Sequence, residues 1–287
     1  MNKTVAITGA GGFVGLRLVS ELARQGWDIY AITSHAENIP ESSRITTIGC
    51  NWTTEGIKEA FTQAKNAALW IHAAARVDLG DRDLLAMYHD NTLITESLVL
   101  GIQSLSMETR LIYLSTVSVY NRGQEISVNV EPRPENHYGL SKLLGEHLCQ
   151  AYMGKNCLVL RLAGVWGSER KPKLFINHCL QQAREGRPLI ISGTGQAARN
   201  YLWVGDMPRI VSLAYEKKWH RILLAAGPEL VSIHEMVTAI GAKFGVPVRF
   251  EGKGNAKSEP DIIVNGLQGL PVTHFNDALD IEIGVHS

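Results

Sequence analysis

A chain of 287 residues is long enough for one large α/β domain, or for a main domain with a smaller appendage. Its 28 Lys and Arg balance 28 Asp and Glu, and no basic block stands out, which argues against nucleic acid or an anionic membrane surface as the main partner. Cys50, Cys149, Cys157 and Cys179 show neither CxxC pairing nor His spacing, so no metal site or disulfide framework is expected. Neither a leader pattern nor an apolar run approaching about 18 residues occurs, and the expected setting is the reduced cytoplasm, off the membrane.

The predicted elements alternate from the start. TVAIT (4–8) reads as a buried strand, followed by a helical pattern over Leu16–Arg24. IYAIT (29–33) is the next strand, and Ile57–Lys65 the next helix. Then come the strand in ALWIHAAA (68–75), a helix over Leu93–Leu105, the strand RLIYLST (110–116), a helix over Leu140–Tyr152 and the strand in CLVLRLAGV (157–165). Strands apolar at nearly every position and separated by helices form a parallel sheet covered on both faces. The fold class expected is therefore α/β, a Rossmann-type doubly wound parallel sheet.

Beyond about residue 165 the pieces become shorter and richer in Gly and Pro, as in REGRPL and SGTGQ. This texture predicts a smaller C-terminal lobe over 166–287 after a main domain over 1–165, with a returning segment near 199–226. EGKGNAKSEPD (251–261) reads as loop, and 275–283 carries too weak a pattern to assign.

Chemistry first shows itself where the first strand ends. Gly9, Gly12 and Gly15 stand at GxxGxxG spacing between a predicted strand and a predicted helix, with Phe13 and Val14 between the last two glycines. A dinucleotide pyrophosphate sits at such a place, because small residues let the backbone approach and free N–H groups at a helix N-terminus attract the anion. Further on, HYGLSKLLGEHL sets Tyr138 and Lys142 four residues apart on one helix face, where a nearby ammonium stabilises a phenolate. RLIYLSTVSVY ends a buried strand in hydroxyls at Ser115, Thr116 and Ser118.

TGAGGFVG, followed in order by these segments, resembles the short-chain dehydrogenase/reductase superfamily, in particular its extended branch of nucleotide-sugar epimerases, dehydratases and reductases. The resemblance spans residues 4 to about 207. It implies that Tyr138 exchanges a proton with the sugar oxygen, Lys142 holds the nicotinamide ribose and lowers the tyrosine pKa, and Thr116 hydrogen-bonds the same oxygen. Ser118 becomes a second hydroxyl on the substrate side. IHAAARVD, with Ala73, Ala74 and Ala75, resembles the segment over the cofactor, and Asn91 matches a helix-starting asparagine. LRLAGVWG, with Arg161, resembles the segment after the next strand. GTGQAARNYLWVGDM is similar to the stretch whose arginine, here Arg199, contacts the nucleotide diphosphate, with Asp206 starting the following helix.

Two positions depart from the family pattern. The acidic residue that accepts the ribose hydroxyls of NAD is replaced by Thr33, followed by Ser34 and His35, and Asn51 stands in for an aspartate near the adenine. Loss of the carboxylate favours NADP over NAD. The usual Thr-Asp-Glu of a dehydratase is Thr116-Val117-Ser118 here, which disfavours dehydration. The expectation is an NAD(P)-dependent epimerase or keto-reductase of a nucleotide sugar. The alternatives are a reductase of a smaller carbonyl substrate or an inactive dinucleotide-binding module. Relatives pair through helices matching roughly 91–104 and 138–152, so a homodimer is expected as well.

Overall fold

The computed structural model describes residues 3–77, 83–105, 108–121, 123, 125–167, 175–252, 262–265 and 269–284. Strand β1 (Thr4–Thr8) is buried at every position, as a strand covered by helices on both faces must be. After it come α1 (Phe13–Arg24), β2 (Asp28–Thr33), β3 (Ile45–Gly49), α2 (Thr54–Ala64), β4 (Leu69–His72), α3 (Leu84–Tyr88), α4 (Ile94–Gln103), β5 (Arg110–Thr116), β6 (Glu125–Ile126), α5 (His137–Met153) and β7 (Cys157–Leu162). The rest comprises β8 (Val165–Trp166), α6 (Phe175–Arg184), β9 (Leu189–Ser192), β10 (Ala198–Arg199), β11 (Leu202–Trp203), α7 (Met207–Glu216), β12 (Arg221–Ala225), β13 (Val231–Ser232), α8 (Ile233–Phe244), β14 (Val248–Glu251), β15 (Ile263–Val264) and α9 (Phe275–Gly284).

Seven strands build one sheet in the order β12-β7-β5-β4-β1-β2-β3. The pairs β1/β2, β2/β3, β1/β4 and β4/β5 run parallel, with Val5 opposite both Ile29 and Leu69. This is the doubly wound sheet expected from the alternation of strands and helices. The chain works outward from β1 to β3, then returns to lay β4 on the other side of β1, so the order reverses between β1 and β4. At such a switch point the connections leave towards opposite faces and open a crevice at the C-terminal edge of the strands.

The sheet is held by apolar burial. Helix α1 buries Leu18, Val19 and Leu22, and each such side chain is worth roughly 1.5–3 kcal/mol when removed from water. One core cluster includes Ile32, Trp70, Leu98, Leu111, Tyr113 and Val159, and Phe61 stacks on Trp70 with ring centroids 4.5 Å apart.

Two strands and one helix boundary differ from the sequence reading. β3 buries Ile48 but leaves most of its residues partly or fully exposed, because it lies at the sheet edge, and β12 at the opposite edge starts exposed. Strands like these lack the continuous apolar run that made the central ones readable. Asn91 does not start a helix. It sits in a π-helical turn (His89–Leu93) that joins α3 to α4, a local widening that recurs at functional sites.

By contact density the chain forms two compact units. The first comprises Met1–Asn121, Glu131–Arg161 and Met207–Leu223; the second comprises Arg122–Val130, Leu162–Asp206 and Leu224–Ser287. Within the first, α7 packs on α1. The second contains the two-stranded pairs β10/β13, β11/β8, β14/β9 and β15/β6. Its end is anchored by polar groups: the Asp206 carboxylate accepts hydrogen bonds from the Thr273 amide (2.9 Å) and hydroxyl (2.6 Å), and Trp203 donates to Glu282 (2.6 Å). Residues 275–284, unassigned from sequence, are α9. Of the loop expected over 251–261, residues 253–261 lie outside the described residues. No helix among the described residues is long and apolar enough to cross a membrane.

Candidate active site

Four loops meet the C-terminal edge of adjacent strands: those after β5, β4, β1 and β2. They carry Thr116, Ala73 to Ala75, the glycines and Thr33, so most of the residues singled out from sequence share one edge of one sheet.

The glycine loop is shaped by its neighbours. Gly9 has φ +67°, and a Cβ there would stand 2.6 Å from the Ala74 backbone, so the residue is required both by conformation and by the β4 loop pressed against it. A Cβ on Gly15 would stand 2.2 Å from the Gly9 carbonyl oxygen, which explains the close packing of α1 on the loop. Gly12 caps α1 with no side-chain hydrogen bond, and the first turn holds no acidic residue. The helix therefore presents unoccupied N–H groups and a positive dipole end to an anion. On that observation the loop fits a dinucleotide pyrophosphate, with Phe13 and Val14 in the first turn.

Thr33 ends β2 buried, and its Oγ1 accepts the His35 amide at 3.0 Å. The His35 backbone and Cβ stand next to Gly11, so 33–35 fold over the glycine loop. Ser34 and His35 are exposed, and the His35 ring pairs with Glu37 at 3.3 Å. Asn51 uses its amide oxygen twice, accepting the Thr53 amide at 3.1 Å and the Thr53 hydroxyl at 2.7 Å at the entry to α2. Its NH₂ group is the part left for a ligand, whereas an aspartate would offer an acceptor.

Asn91 is buried and spends its amide inside the protein. It accepts from the Arg76 amide (2.8 Å) and donates to the Arg76 carbonyl (2.9 Å) and to Ser141 (3.0 Å). It thus braces the β4 loop against α5, and any effect on a cofactor passes through that brace.

Helix α5 begins at the cap Asn136, whose side chain accepts the Gly139 amide at 2.8 Å. This puts Tyr138 in the first turn and Lys142 one turn later. A Cβ on Gly139 would stand 2.1 Å from the Ser118 carbonyl oxygen, so this glycine lets the hydroxyl turn after β5 lie directly on the helix. In that turn Thr116 Oγ1 accepts the Ser118 amide (3.1 Å) and donates to Ser118 Oγ (3.2 Å). Thr116 also bonds the Tyr138 phenol. The structure brings Thr116, Ser118 and the start of α5 at Tyr138 together, while Lys142 lies one turn further along α5.

The charge states differ from the sequence reading. Burial pushes the Tyr138 phenol up to about 12, and the group that pulls against this is Thr116 rather than Lys142. Lys142 is itself buried, which brings its ammonium down to about 8 against the opposing pull of Cys149 and Glu146. Its Nζ lies 4.0 Å from the centroid of the Tyr113 ring, a cation–π contact. The expected lowering of the phenol by the ammonium is not seen: Thr116, and not Lys142, is the group that acts on Tyr138 against burial.

Sequence reasoning missed His72. Its Nδ1 lies 2.6 Å from Thr8 Oγ1 and its Nε2 2.9 Å from Thr95 Oγ1. Thr95 gives its proton to the Asn91 carbonyl at 2.8 Å, so the ring must donate from Nε2 and accept at Nδ1. It is neutral: burial, and secondarily the Lys142 charge, bring its pKa down to about 3. The signal available was a histidine ending an otherwise apolar strand.

Arg199 lies in the second unit, on β10, opposite Val231 of β13. Asp206 directly precedes α7, consistent with its position before a helix. Arg161 is buried on β7 in an ion pair with Glu146, at 2.6 Å.

Comparison with known proteins gives consistent results. The NAD dependent epimerase/dehydratase family matches residues 5–224. The uncharacterized UDP-glucose epimerase YtcB of Bacillus subtilis (strain 168) is 28% identical over 258 residues, covering 82% of this chain and 80% of that protein. GDP-6-deoxy-D-talose 4-dehydrogenase of Aggregatibacter actinomycetemcomitans is 22% identical, covering 82% and 79%. Among solved structures, the UDP-glucose 4-epimerase of Thermus thermophilus in complex with NAD superimposes with a TM-score of 0.84 at 20% identity, covering 98% of each chain. UDP-glucuronic acid 4-epimerase from Bacillus cereus in complex with NAD gives 0.82 at 22%, covering 98% of this chain and 97% of the other. At these identities the structural matches establish a common fold.

Proposed function

Because the chain belongs to the NAD-dependent epimerase/dehydratase family, we propose that it is a nucleotide-sugar epimerase, with a UDP-sugar as the first candidate substrate. The observation that carries this reading is a glycine loop with an uncapped helix behind it on the same sheet edge as Thr116, which acts on Tyr138 of α5, one turn before Lys142.

In this reading the N–H groups of Phe13 to Gly15 hold the dinucleotide pyrophosphate, the Gly12 amide being bonded to the Gly9 carbonyl at 2.9 Å, and Thr33, Ser34 and His35 hold the adenosine ribose. Asn51 stands at the adenine, Ala73 to Ala75 line the far wall, and Lys142 donates to the nicotinamide ribose. When bound, the nicotinamide accepts and returns hydride at a sugar carbon, chemistry that no protein side chain supplies. Burial alone keeps the Tyr138 phenol protonated near neutral pH, so it would take the proton of the sugar hydroxyl, and later return it, only with the positive charge of an oxidised nicotinamide beside it to lower its pKa; Thr116 holds the same oxygen, and Ser118 donates to a neighbouring hydroxyl. Thr116-Val117-Ser118 offers no acid to expel a sugar hydroxyl, so the chemistry stops short of dehydration. Arg199 in the second unit reads the diphosphate of the sugar nucleotide, which a guanidinium suits through several charge-assisted donors.

A second reading, net reduction of a keto sugar, draws on the 4-dehydrogenase relative and on Thr33 in place of an acidic residue. The two readings separate by cofactor. An epimerase recycles its dinucleotide and retains it, whereas a reductase exchanges it at every turnover and, with Thr33, favours NADPH. Mass spectrometry of nucleotide released from freshly purified protein distinguishes them. Incubation with UDP-glucose, followed by proton NMR for a new anomeric signal, tests the substrate. Arg199→Met should raise the KM for UDP-glucose by orders of magnitude, roughly the loss of a charge-assisted pair worth a few kcal/mol. An unchanged KM would remove Arg199 from the site.

We also propose a homodimer through α4 and α5. These helices pack on each other, and Leu93, Leu100, Leu140 and Leu144 leave large apolar side chains exposed along them. Leu93 and Leu100 are seven residues apart, and Leu140 and Leu144 four apart, spacings that line up on one helix face.

A further inference from the structure

Among the described residues, a buried polar assembly of the first unit packs against both ends of the hydroxyl turn. Glu146 and Arg161, both almost fully buried, pair through Arg161 Nη2 and Glu146 Oε2 at 2.6 Å, and through Arg161 Nε to both carboxylate oxygens at 3.0 and 3.1 Å. Two further bonds reach the pair from a single short segment. Ser115 donates its hydroxyl to Glu146 Oε1, and Arg161 Nη1 donates to the Tyr120 hydroxyl, with the guanidinium carbon 4.9 Å from that ring's centroid. Ser115 and Tyr120 bracket Thr116, Val117, Ser118 and Val119. Both ends of the turn that carries the hydroxyls are therefore tied to one ion pair.

The pair also spans the elements that must stay in register. Glu146 lies on α5, one turn beyond Lys142 and two beyond Tyr138, while Arg161 lies on β7, adjacent to β5 in the sheet. The turn touches α5 again through Ser118 against Gly139. Shifting Thr116 away from Tyr138 would require breaking charge-assisted bonds between buried groups.

We propose that the Glu146–Arg161 pair is a clamp that positions Thr116 against the Tyr138 phenol, making Glu146, Arg161, Ser115 and Tyr120 positioning residues for the proton-transferring tyrosine. The role rests on the reading of Tyr138 given above. It differs from a plain stabilising ion pair in what it controls: the Thr116 to Tyr138 hydrogen bond, and through it the placement of the transferred proton.

Replacing Glu146 or Arg161 leaves an unpaired buried charge and endangers folding, so the test uses Ser115→Ala and Tyr120→Phe, which loosen the turn and spare the pair. With ¹³C at the tyrosine ζ carbon, the Tyr138 resonance is the one missing from Tyr138→Phe and displaced in Thr116→Ala. In both loosened variants it should move towards its Thr116→Ala position, and Ser115→Ala added to Thr116→Ala should move it no further. A stabilising role alone would change the melting temperature and leave this resonance unmoved; an unmoved resonance in both folded variants overturns the clamp. In parallel, kcat on UDP-glucose should fall roughly ten- to hundredfold with KM unchanged, the size of effect expected from a misplaced reacting group. Wild-type protein inert on UDP-glucose would count against the substrate reading, and the Tyr138 resonance would still decide the clamp.

Discussion

His72 ties the stability of the sheet to acid. Its ring is neutral between Thr8 and Thr95, and its pKa of about 3 lies below the ordinary 6.5. Between those values the unfolded chain binds a proton that the folded protein refuses, so stability is full above pH 6.5 and falls as pH drops towards 3. The loss between pH 7 and pH 5 should be about 2 kcal/mol. Urea unfolding of wild type and His72→Gln at the two pH values measures it, and equal losses in the two proteins would exclude His72 as the origin. Lys142 acts in the same direction at higher pH. Its buried ammonium, at about 8 instead of 10.5, costs stability in full below the lower value, and the cost is relieved as pH rises from the lower value to the higher. At this scale the sequence was most legible where spacing alone fixes geometry, as with Tyr138 and Lys142 four apart on a helix. It was silent on His72, Gly139 and Glu146, whose partners lie far along the chain and are brought in only by tertiary packing.

The elements follow the same division. β1 and β5 fall on the residues read from their apolar runs, because both are buried along their length and nothing but a central strand suits such a run. Edge strands β3 and β12 escaped because half-exposed strands carry a mixed pattern, and the π-helical turn escaped because no periodicity announces an extra residue in a helix. The end of β2 is where element and specificity meet. Thr33 lacks the carboxylate that would repel a 2′-phosphate, but Glu37 in the turn after it pairs with His35 and restores negative charge close by. The two features oppose each other. Glu37→Gln should raise the ratio of NADPH to NADH affinity by roughly fivefold, since one exposed charge is worth up to about 1 kcal/mol; fluorescence titration with both cofactors checks it, and an unchanged ratio would remove Glu37 from the ribose site.

At the scale of the whole molecule, the proposed pairing through α4 and α5 makes a prediction about assembly. Placing a carboxylate in the apolar stripe, as in Leu93→Glu with Leu100→Glu, should convert a dimer into a monomer by sedimentation with the fold retained, because burying an unpaired charge costs far more than an exposed leucine. A wild-type monomer, or a double variant that remains dimeric, would reject that interface. The central claim, a nicotinamide dinucleotide held by the glycine loop and a proton moved by Tyr138 on a nucleotide sugar, is reached most directly by one paired measurement. Wild type and Tyr138→Phe are titrated with NADH and NADPH and then incubated with UDP-glucose under proton NMR. Both proteins should bind dinucleotide alike, and wild type alone should produce a new anomeric signal, with turnover in the variant lower by at least roughly a hundredfold. Equal turnover in the two proteins, or a wild type that binds neither dinucleotide, would contradict the account.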